Sequence, residues 1–168
     1  VVQNTAPVVD SITIAPASVY TNDSITATAV VSDADSSQSP TVSYEWHVVD
    51  LNGADSIVQS GASNSLDGAQ YFSRDEEVYV IATANDTVED STPLTSNSIT
   101  VLNTAPTAPV ISASPDPATA GQDDLTCSVD SASTDADGDS VVYTYVWTDD
   151  AGVVQQTTSQ TAATSDVF

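Results

Sequence analysis

A run of alternating aspartates, Asp135-Ala136-Asp137-Gly138-Asp139, is the segment of this sequence best suited to chemistry. Glycine permits the tight turn that directs alternate carboxylates toward one point. Carboxylate oxygens are the ligands that Ca²⁺ prefers, and this ion tolerates irregular geometry. We therefore expect Asp135, Asp137 and Asp139 to bind calcium. The alternative is that Asp and Gly form an ordinary turn in a solvated acidic surface.

A second loop carries a poorer version of the same pattern. It keeps Asp33 and Asp35 but has Ser36-Ser37 where the first loop has Gly-Asp. Fewer carboxylates predict weaker calcium binding. Asn85 and Asp86 lie in a later turn that we place at the same end of the predicted domain, so we expect them to contribute further oxygens to a composite site.

The charge balance of the chain is extreme. Of its 168 residues, 24 are Asp or Glu and 1 is Lys or Arg, which gives a formal charge of −23. Carboxylates without counter-charges repel one another unless water or cations neutralise them, so a divalent cation or high salt is expected. Nucleic acid and anionic membrane surfaces are excluded as partners. Arg74 is flanked by acids and is expected to form a local ion pair.

The composition indicates a folded protein, because hydrophobic residues make up 40% of the chain and charged residues 15%. No apolar run is long enough to cross a membrane, so we expect no direct membrane insertion. No charged-then-apolar leader stands at Val1. We expect the chain to be an internal piece of a longer protein.

Three landmarks recur in the same order at an offset of about 100 residues, the size of one immunoglobulin-type sandwich. They are Asn4-Thr5-Ala6-Pro7 with Asn103-Thr104-Ala105-Pro106, Asp33-Ala34-Asp35 with Asp135-Ala136-Asp137, and Tyr44-Glu45-Trp46 with Tyr145-Val146-Trp147. The sequence therefore predicts a duplication.

Short segments rich in β-branched residues alternate with clusters of turn formers, and none has helical apolar spacing, so we predict an all-β fold. We expect residues 1–3 to end a preceding repeat, residues 4–102 to form one sandwich, and residues 103–168 to form strands A to C′ of a second. The strands predicted for the first repeat, A to G, are 9–15, 24–32, 41–50, 56–60, 65–72, 76–84 and 95–102. Those predicted for the second are 108–114, 123–130, 140–149 and 153–159.

These residues resemble the extracellular tandem repeats of bacteria and archaea, of the PKD, cadherin-like and fibronectin type III kinds. The resemblance rests on the Asn-Thr-Ala-Pro opener, the acidic loop 135–139, and the phrases Asp124-Leu125-Thr126-Cys127 and Tyr143-Thr144-Tyr145-Val146-Trp147. It covers nearly the whole chain. It implies tandem immunoglobulin-like β-sandwiches, the second one incomplete within this chain.

The resemblance also implies roles for particular residues. Trp46 and Trp147 would lie in the two cores. Cys127 would be half of a disulfide between strands B and F, with its partner outside the chain, whereas Ala27 stands at that position in the first repeat. A disulfide implies an extracellular location. The alternative is a lone buried thiol.

Asn22 and Asn85 each begin an Asn-X-Ser/Thr triplet on a predicted turn. Both are therefore candidate N-glycosylation sites. Triplets of this kind also occur by chance.

These features favour a structural or adhesive repeat module of an extracellular cell-surface or filament-forming protein, stiffened by calcium. The expected partners are neighbouring repeats or subunits of the same protein, with strand complementation as one route. The alternative is a carbohydrate- or ligand-binding accessory module of a secreted enzyme, which exposed aromatics would mark. The aromatic candidates are Tyr20, Tyr44, Tyr71 and Phe72. We expect no catalytic activity, and His47, without a nucleophile or second His at a useful spacing, is expected to face outward.

Overall fold

The computed structural model describes residues 3–35 and 37–168 of the chain. Residues 1 and 2 of the predicted preceding strand, and Ser36 of the second acidic loop, lie outside the described part. The chain divides into two compact units, unit 1 and unit 2, at the peptide bond between Thr104 and Ala105. No helix among the described residues is long and apolar enough to cross a membrane.

One sheet of unit 1 has three antiparallel strands in the order β1-β3-β6. They are β1 (Val8–Ala15), β3 (Ser24–Ser32) and β6 (Ser65–Asp67). In β3, Ile25 and Ala27 are buried, whereas the neighbouring residues Ser24, Thr26 and Thr28 are exposed. Successive side chains of a strand point to opposite faces, so this alternation gives the sheet one apolar face.

The second sheet of unit 1 has the order β2-β9-β7-β4-β5, and β8 also pairs with β7. Its strands are β2 (Val19–Tyr20), β4 (Thr41–Val49), β5 (Asp55–Gly61), β7 (Glu77–Asn85), β8 (Leu94–Thr95) and β9 (Ile99–Leu102). β2 runs parallel to β9, whereas β4 pairs with β5 and β7 in antiparallel fashion. Every second residue of β7 is buried, from Val78 to Ala84.

The core of unit 1 lies between these two sheets. Trp46 of β4, Leu66 of β6 and Val80 of β7 are all 0% exposed. The indole N–H of Trp46 donates to the carbonyl of Ser63 at 3.2 Å, so the ring is buried without an unpaired donor. Full burial of a large apolar side chain contributes about 1.5–3 kcal/mol. Unit 1 is therefore all-β and sandwich-like.

Unit 1 differs from its predicted strand map at one place in particular. The strand predicted over 65–72 ends at Asp67, and the short helix α1 (Gly68–Tyr71) follows it. The Asp67 carboxylate accepts from the backbone N–H of Ala69 at 3.1 Å and so caps this helix. The Gly68 backbone N–H donates to the Asp23 carbonyl at 2.8 Å, and a Cβ at Gly68 would lie 2.5 Å from this carbonyl oxygen.

Unit 2 contains a three-stranded sheet in the order β10-β11-β14 and the pair β12-β13. The strands are β10 (Val110–Ser114), β11 (Thr126–Ser131), β12 (Tyr143–Thr148), β13 (Val154–Thr161) and β14 (Ser165–Val167). β14 is an addition to the predicted strands A to C′. It pairs with β11 as β6 pairs with β3, so it occupies the place of strand E.

The interior of unit 2 is open on one side. Among its described residues, Tyr145 is the one buried hydrophobic residue, at 7% exposure. A groove of about 620 Å³ lies between its two sheets and is lined by residues such as Ile111, Val129 and Trp147. Trp147, expected in a closed core, remains partly exposed and stacks on Phe168 at 5.7 Å.

Candidate functional site

The acidic loop of unit 1 is bonded to its own backbone and to the segment that enters the unit. Asp33 Oδ1 accepts from the backbone N–H of Asp35 at 2.7 Å, which forms an Asx turn. Asp35 Oδ2 accepts from the backbone N–H of Thr5 at 2.7 Å. The Asp35 carbonyl accepts from the Gln38 N–H at 2.9 Å. The loop after β3 therefore holds the chain immediately before β1.

Asn4, the first residue of the Asn-Thr-Ala-Pro segment, connects this loop to the turn after β7. Its side-chain amide donates to Asp86 Oδ2 at 2.9 Å and to Glu89 Oε2 at 3.4 Å. Its side-chain carbonyl accepts from Gln38 Nε2 at 2.8 Å. One side chain thus joins residues from two loops that are far apart in sequence. We call the group Asn4, Asp33, Asp35, Gln38, Asp86 and Glu89 the linker cluster.

Asp86 is the most buried acid of the linker cluster, at 3% exposure. Its Oδ1 accepts from the backbone N–H groups of Val88 and Glu89, both at 2.7 Å. Bonding of the carboxylate to the backbone N–H of Glu89 holds its pKa below the ordinary value, and the Asn4 side chain and the Val88 N–H act in the same direction. Asp86 is therefore a fixed, ionised anchor for Asn4.

Two oxygens of the linker cluster are buried without a donor. Asp33 Oδ2 and Gln38 Oε1 have no hydrogen-bond partner among the described residues. A buried acceptor that is left unsatisfied costs about 1–3 kcal/mol, and more when it is charged. Carboxylate and amide oxygens are ligands of Ca²⁺, so both oxygens fit a hard cation.

The linker cluster is not a complete metal cage of acids. Across residues 3–35 and 37–168, no group of three or more His, Cys, Asp and Glu side chains is gathered so that it could hold a metal ion. Asn85 also points to a different partner, because its side-chain amide donates to Asp90 Oδ1 at 2.7 Å. Calcium binding by Asp33, Asp35, Asn85 and Asp86 stays a prediction, with Gln38 as an added donor.

The acidic loop of unit 2 is an Asx turn of the same kind. Asp135 Oδ1 accepts from the backbone N–H groups of Asp137 at 2.9 Å and Asp139 at 3.3 Å. Gly138 has a φ of 76°, which glycine adopts without steric cost. The Asp135 carboxylate thus shapes the loop, and calcium binding by Asp135, Asp137 and Asp139 stays a prediction.

The second Asn-Thr-Ala-Pro segment is bonded at both of its ends, each within its own unit. In unit 1, Arg74 donates to Asn103 Oδ1 at 2.6 Å. Arg74 also lies 3.5 Å from an Asp75 oxygen, as expected of a local ion pair. In unit 2, the Thr107 N–H donates to the Thr134 carbonyl and the Thr134 N–H donates to the Thr107 hydroxyl, both at 2.8 Å.

Cys127 carries a free thiol and is partly buried. It lines the groove of unit 2, next to Tyr145 and Trp147. Its counterpart Ala27 is 1% exposed in unit 1. A disulfide to a partner outside the chain stays a prediction.

The two glycosylation candidates lie in different surroundings. Asn22 is exposed in the turn before β3, with a φ of 76°. Asn85 is half-buried at the end of β7, and its side chain is bonded to Asp90 and to the Thr87 N–H. A glycan would be attached at Asn85 Nδ2, the atom that donates to Asp90, whereas the Asn22 side chain is exposed.

His47 lies on the face of the sheet opposite the core residues Trp46 and Val48, as expected, but neighbouring side chains on that face cover it to 9% exposure. Its Nδ1 lies 3.0 Å from Asp55 Oδ1, and its ring stacks on Tyr79 at 4.6 Å. The Tyr79 hydroxyl donates to Asp55 Oδ2 at 2.6 Å. This bond raises the pKa of Tyr79 to about 12, and it lowers the pKa of Asp55 with help from His47. Sequence spacing missed this group because the three residues come from three different strands.

Asn4 was also missed as a site residue, although a signal for it existed. The recurrence of Asn-Thr-Ala-Pro marked the segment as a repeat boundary, but an Asn in a linker suggests no bonding partner by itself. The partners Gln38 and Asp86 become visible only when the two loops meet at one end of the sheet pair.

No protein-family model matches this chain, and no curated protein matches it.

Proposed function

We propose that this chain is a structural or adhesive repeat module of an extracellular surface or filament protein, with rigid repeat junctions that calcium stiffens. The observation that carries the proposal is the bonding of Asn4, whose side chain reaches Asp86 at 2.9 Å and Gln38 at 2.8 Å. These bonds hold the segment that enters the unit against two loops of the same unit, and such an attachment would suit a stalk of repeats.

The strand pairing supports tandem immunoglobulin-like repeats as the finer description. β1, β3 and β6 correspond to strands A, B and E of such a sandwich, and β5, β4, β7 and β9 correspond to C′, C, F and G. Trp46 lies on the strand C equivalent and is fully buried. In unit 2, β10, β11, β14, β12 and β13 follow the same scheme.

The connection between the two units is short, and a bonded residue stands at each end of it. Asn103 is bonded to Arg74 of unit 1, and Thr107 is bonded to Thr134 of unit 2. Between these two bonded residues lie only Thr104, Ala105 and Pro106. Proline fixes its own φ, which removes one more rotation from this short connection.

Calcium is proposed as the stiffening cation for two reasons. The buried oxygens of Asp33 and Gln38 lack donors among the described residues, and they belong to the loop that holds Thr5 and Asn4. A chain with a charge of −23 also requires cations from its medium. When bound, calcium supplies positive charge to these oxygens, while Asn4 and Asp86 position the loop.

An extracellular location and partnership with neighbouring repeats follow from this function and are proposed with it. The alternative, a carbohydrate-binding module, has weaker support. Phe72 belongs to the core at 4% exposure, and Tyr44 and Tyr71 are partly buried against it. Tyr20, at 42%, is the most exposed of the four aromatic candidates.

Backbone ¹⁵N relaxation at Thr104 and Ala105 tests the proposal. Both amides should have order parameters of about 0.85, the value of rigid backbone. Arg74→Gln and Thr107→Ala should each lower them, since each removes a side chain that takes part in one of the bonds at the junction. Glu45→Gln changes an exposed acid of β4 and serves as the control. Order parameters below about 0.6 in the unaltered chain would contradict a rigid junction.

A further inference from the structure

The turn between β2 and β3 of unit 1 presents Asn22 to solvent. Asn22 is exposed and has a φ of 76°. Two hydrogen bonds close the turn, because the Asp23 N–H donates to the Tyr20 carbonyl at 3.0 Å and the Tyr20 N–H donates to Asp23 Oδ2 at 2.9 Å. These bonds shape the turn without using the side-chain amide of Asn22.

Unit 2 shows what a turn of this kind requires. Its equivalent turn is one residue longer and is closed in the same way, since the Asp123 N–H donates to the Thr119 carbonyl at 3.1 Å and the Thr119 N–H donates to Asp123 Oδ2 at 2.7 Å. The residue with positive φ there is Gly121, at 73°. Glycine adopts this conformation at no steric cost. Glycine would satisfy the turn of unit 1 as well, so the geometry does not by itself require Asn22.

Asn22 also begins the triplet Asn22-Asp23-Ser24, the pattern at which N-linked glycans are attached. Ser24 supplies the hydroxyl that the pattern requires, and it is exposed like Asn22. The triplet at Asn85 is in the opposite state. Asn85 is half-buried, and its Nδ2, the atom that would receive the sugar, donates to Asp90 Oδ1 at 2.7 Å. Of the two triplets, the folded chain therefore offers the one at Asn22.

An exposed apolar patch lies beside this turn. Tyr20 is 42% exposed and Leu102 is 41% exposed. The two residues are register partners in the parallel strands β2 and β9, so their side chains project from the same face of the sheet. Tyr20 also opens the turn that contains Asn22, two positions before it. A tyrosine ring has an apolar face, and the C–H face of a sugar packs on such a surface. The patch is therefore within reach of a sugar attached to Asn22.

We propose that Asn22 is an N-glycosylation site and that the first sugar of its glycan packs on Tyr20 and Leu102. In the transfer, a bond forms between Asn22 Nδ2 and C1 of the sugar, and the bond from C1 to the phosphate of a polyprenyl carrier breaks. Nδ2 loses one proton to solvent, the carrier phosphate is the leaving group, and nothing is oxidised or reduced. The inference rests on the extracellular location in the proposed function, but not on calcium or on the stiffness of the junction.

Glycan transfer to the full, folded chain tests the site. The chain is incubated with an oligosaccharyltransferase and a polyprenyl-diphosphate-linked oligosaccharide whose first sugar is N-acetylglucosamine. Trypsin then separates the two triplets in one cut, because Arg74 is the only Lys or Arg of the chain. Residues 1–74 contain Asn22, and residues 75–168 contain Asn85. Mass spectrometry should find one glycan on the first fragment and none on the second.

Two variants of β3 serve as a matched pair for this transfer. Ser24→Ala removes the hydroxyl of the triplet and should abolish the transfer. Thr26→Ala removes a hydroxyl from another exposed position of the same strand and should leave the transfer unchanged. The pair separates loss of the triplet from any general effect on the strand.

Thermal unfolding measures the packing of the sugar on the patch. An endoglycosidase trims the glycan to its first sugar, and the Tm of unit 1 is compared with that of the unglycosylated chain. The sugar covers apolar surface and should raise the Tm by roughly 2–4 °C. Tyr20→Ala should remove this rise. Leu51→Ala, at an apolar position that is 73% exposed in another turn, is the control and should retain it.

The results that would overturn the proposal are distinct. Transfer to residues 75–168, or no transfer to the folded chain, would overturn the site at Asn22. A rise in Tm that Tyr20→Ala retains would overturn the packing of the sugar on Tyr20. None of these results depends on the order parameters of Thr104 and Ala105, so this proposal and the rigid junction fail separately.

Discussion

The side-chain amide of Asn4 donates a 2.9 Å hydrogen bond to Asp86, 82 positions further along the chain. The same residue accepts from Gln38 on the other loop at this end of unit 1. A residue outside every strand therefore fixes the two loops that flank it. Asn103, at the equivalent position of the second segment, has different partners, because its Oδ1 accepts from Arg74 at 2.6 Å and its amide donates to the Thr104 carbonyl at 3.1 Å.

Asn4→Ala should destabilise unit 1. The substitution removes the donor to Asp86 and the acceptor for Gln38, and both of these hydrogen bonds are partly buried. We expect the Tm of unit 1 to fall by roughly 4–8 °C, measured by thermal unfolding. Gln3→Ala, at the exposed preceding residue, is the control and should leave the Tm unchanged. Equal Tm values for both variants would show that Asn4 adds nothing to the fold.

Gly68→Ala should destabilise unit 1 through overpacking. A Cβ at this position would lie 2.5 Å from the Asp23 carbonyl and 2.5 Å from the Phe72 ring. Neither the backbone nor a core ring can yield cheaply, so we expect a loss of about 1–3 kcal/mol in the free energy of unfolding. Chemical denaturation measures it. The control Ala69→Ser, at the exposed neighbour in α1, should change the free energy of unfolding by no more than about 0.5 kcal/mol. An equally small change for Gly68→Ala would contradict the close packing.

The Tyr79–Asp55 bond should make unit 1 sensitive to alkaline pH. The pKa of Tyr79 is raised from 10.0 to about 12 by its bond to Asp55 and by burial. Because the folded pKa is raised, this stabilisation is full below pH 10 and is lost as the pH rises through 12. We expect the denaturant concentration at the midpoint of unfolding to decrease as the pH rises from 10 to 12, by more than any background change. In Tyr79→Phe the fall should shrink to that background, and an unchanged pH profile in this variant would exclude Tyr79 as its cause.

The same bond predicts a smaller effect in acid. The pKa of Asp55 lies below its ordinary value of 3.8, first because of Tyr79 and then because of His47. A lowered carboxyl pKa gives stability that is present above pH 3.8 and lost as the pH falls through the folded pKa. Asp55→Asn should therefore reduce the drop in stability below pH 3.8 when compared with the unaltered chain. An identical acid profile for both proteins would contradict this assignment.

The strands of unit 1 were largely predictable because period-2 alternation and turn formers act locally. The prediction of 24–32 coincides with β3, and that of 76–84 lies one residue from β7. The strand predicted over 65–72 was wrong beyond Asp67, because the Asp67 side chain caps the short helix α1, which begins at Gly68. Contacts across the sandwich leave no trace in a local pattern.

The candidate site shows the same division between local and long-range information. Asp33 and Asp35 were recognisable from their spacing, and the later turn at Asp86 was placed at the same end of the domain. The bridging role of Asn4, and the burial of His47 beside Tyr79, depend on which strands become neighbours. β14 was overlooked because three residues give too short a pattern, and its pairing with β11 defines it.

Thermal unfolding in calcium, compared with magnesium at equal ionic strength, tests the calcium-stiffened junction most directly. At ten times Kd, calcium should raise the Tm of unit 1 by roughly 5–10 °C. Asp33→Asn should abolish most of this rise, because it removes the charge from the buried oxygen without a donor, whereas Glu45→Gln should retain it. A calcium-specific rise that Asp33→Asn removes is the predicted result. Equal Tm values in calcium and magnesium would contradict the account.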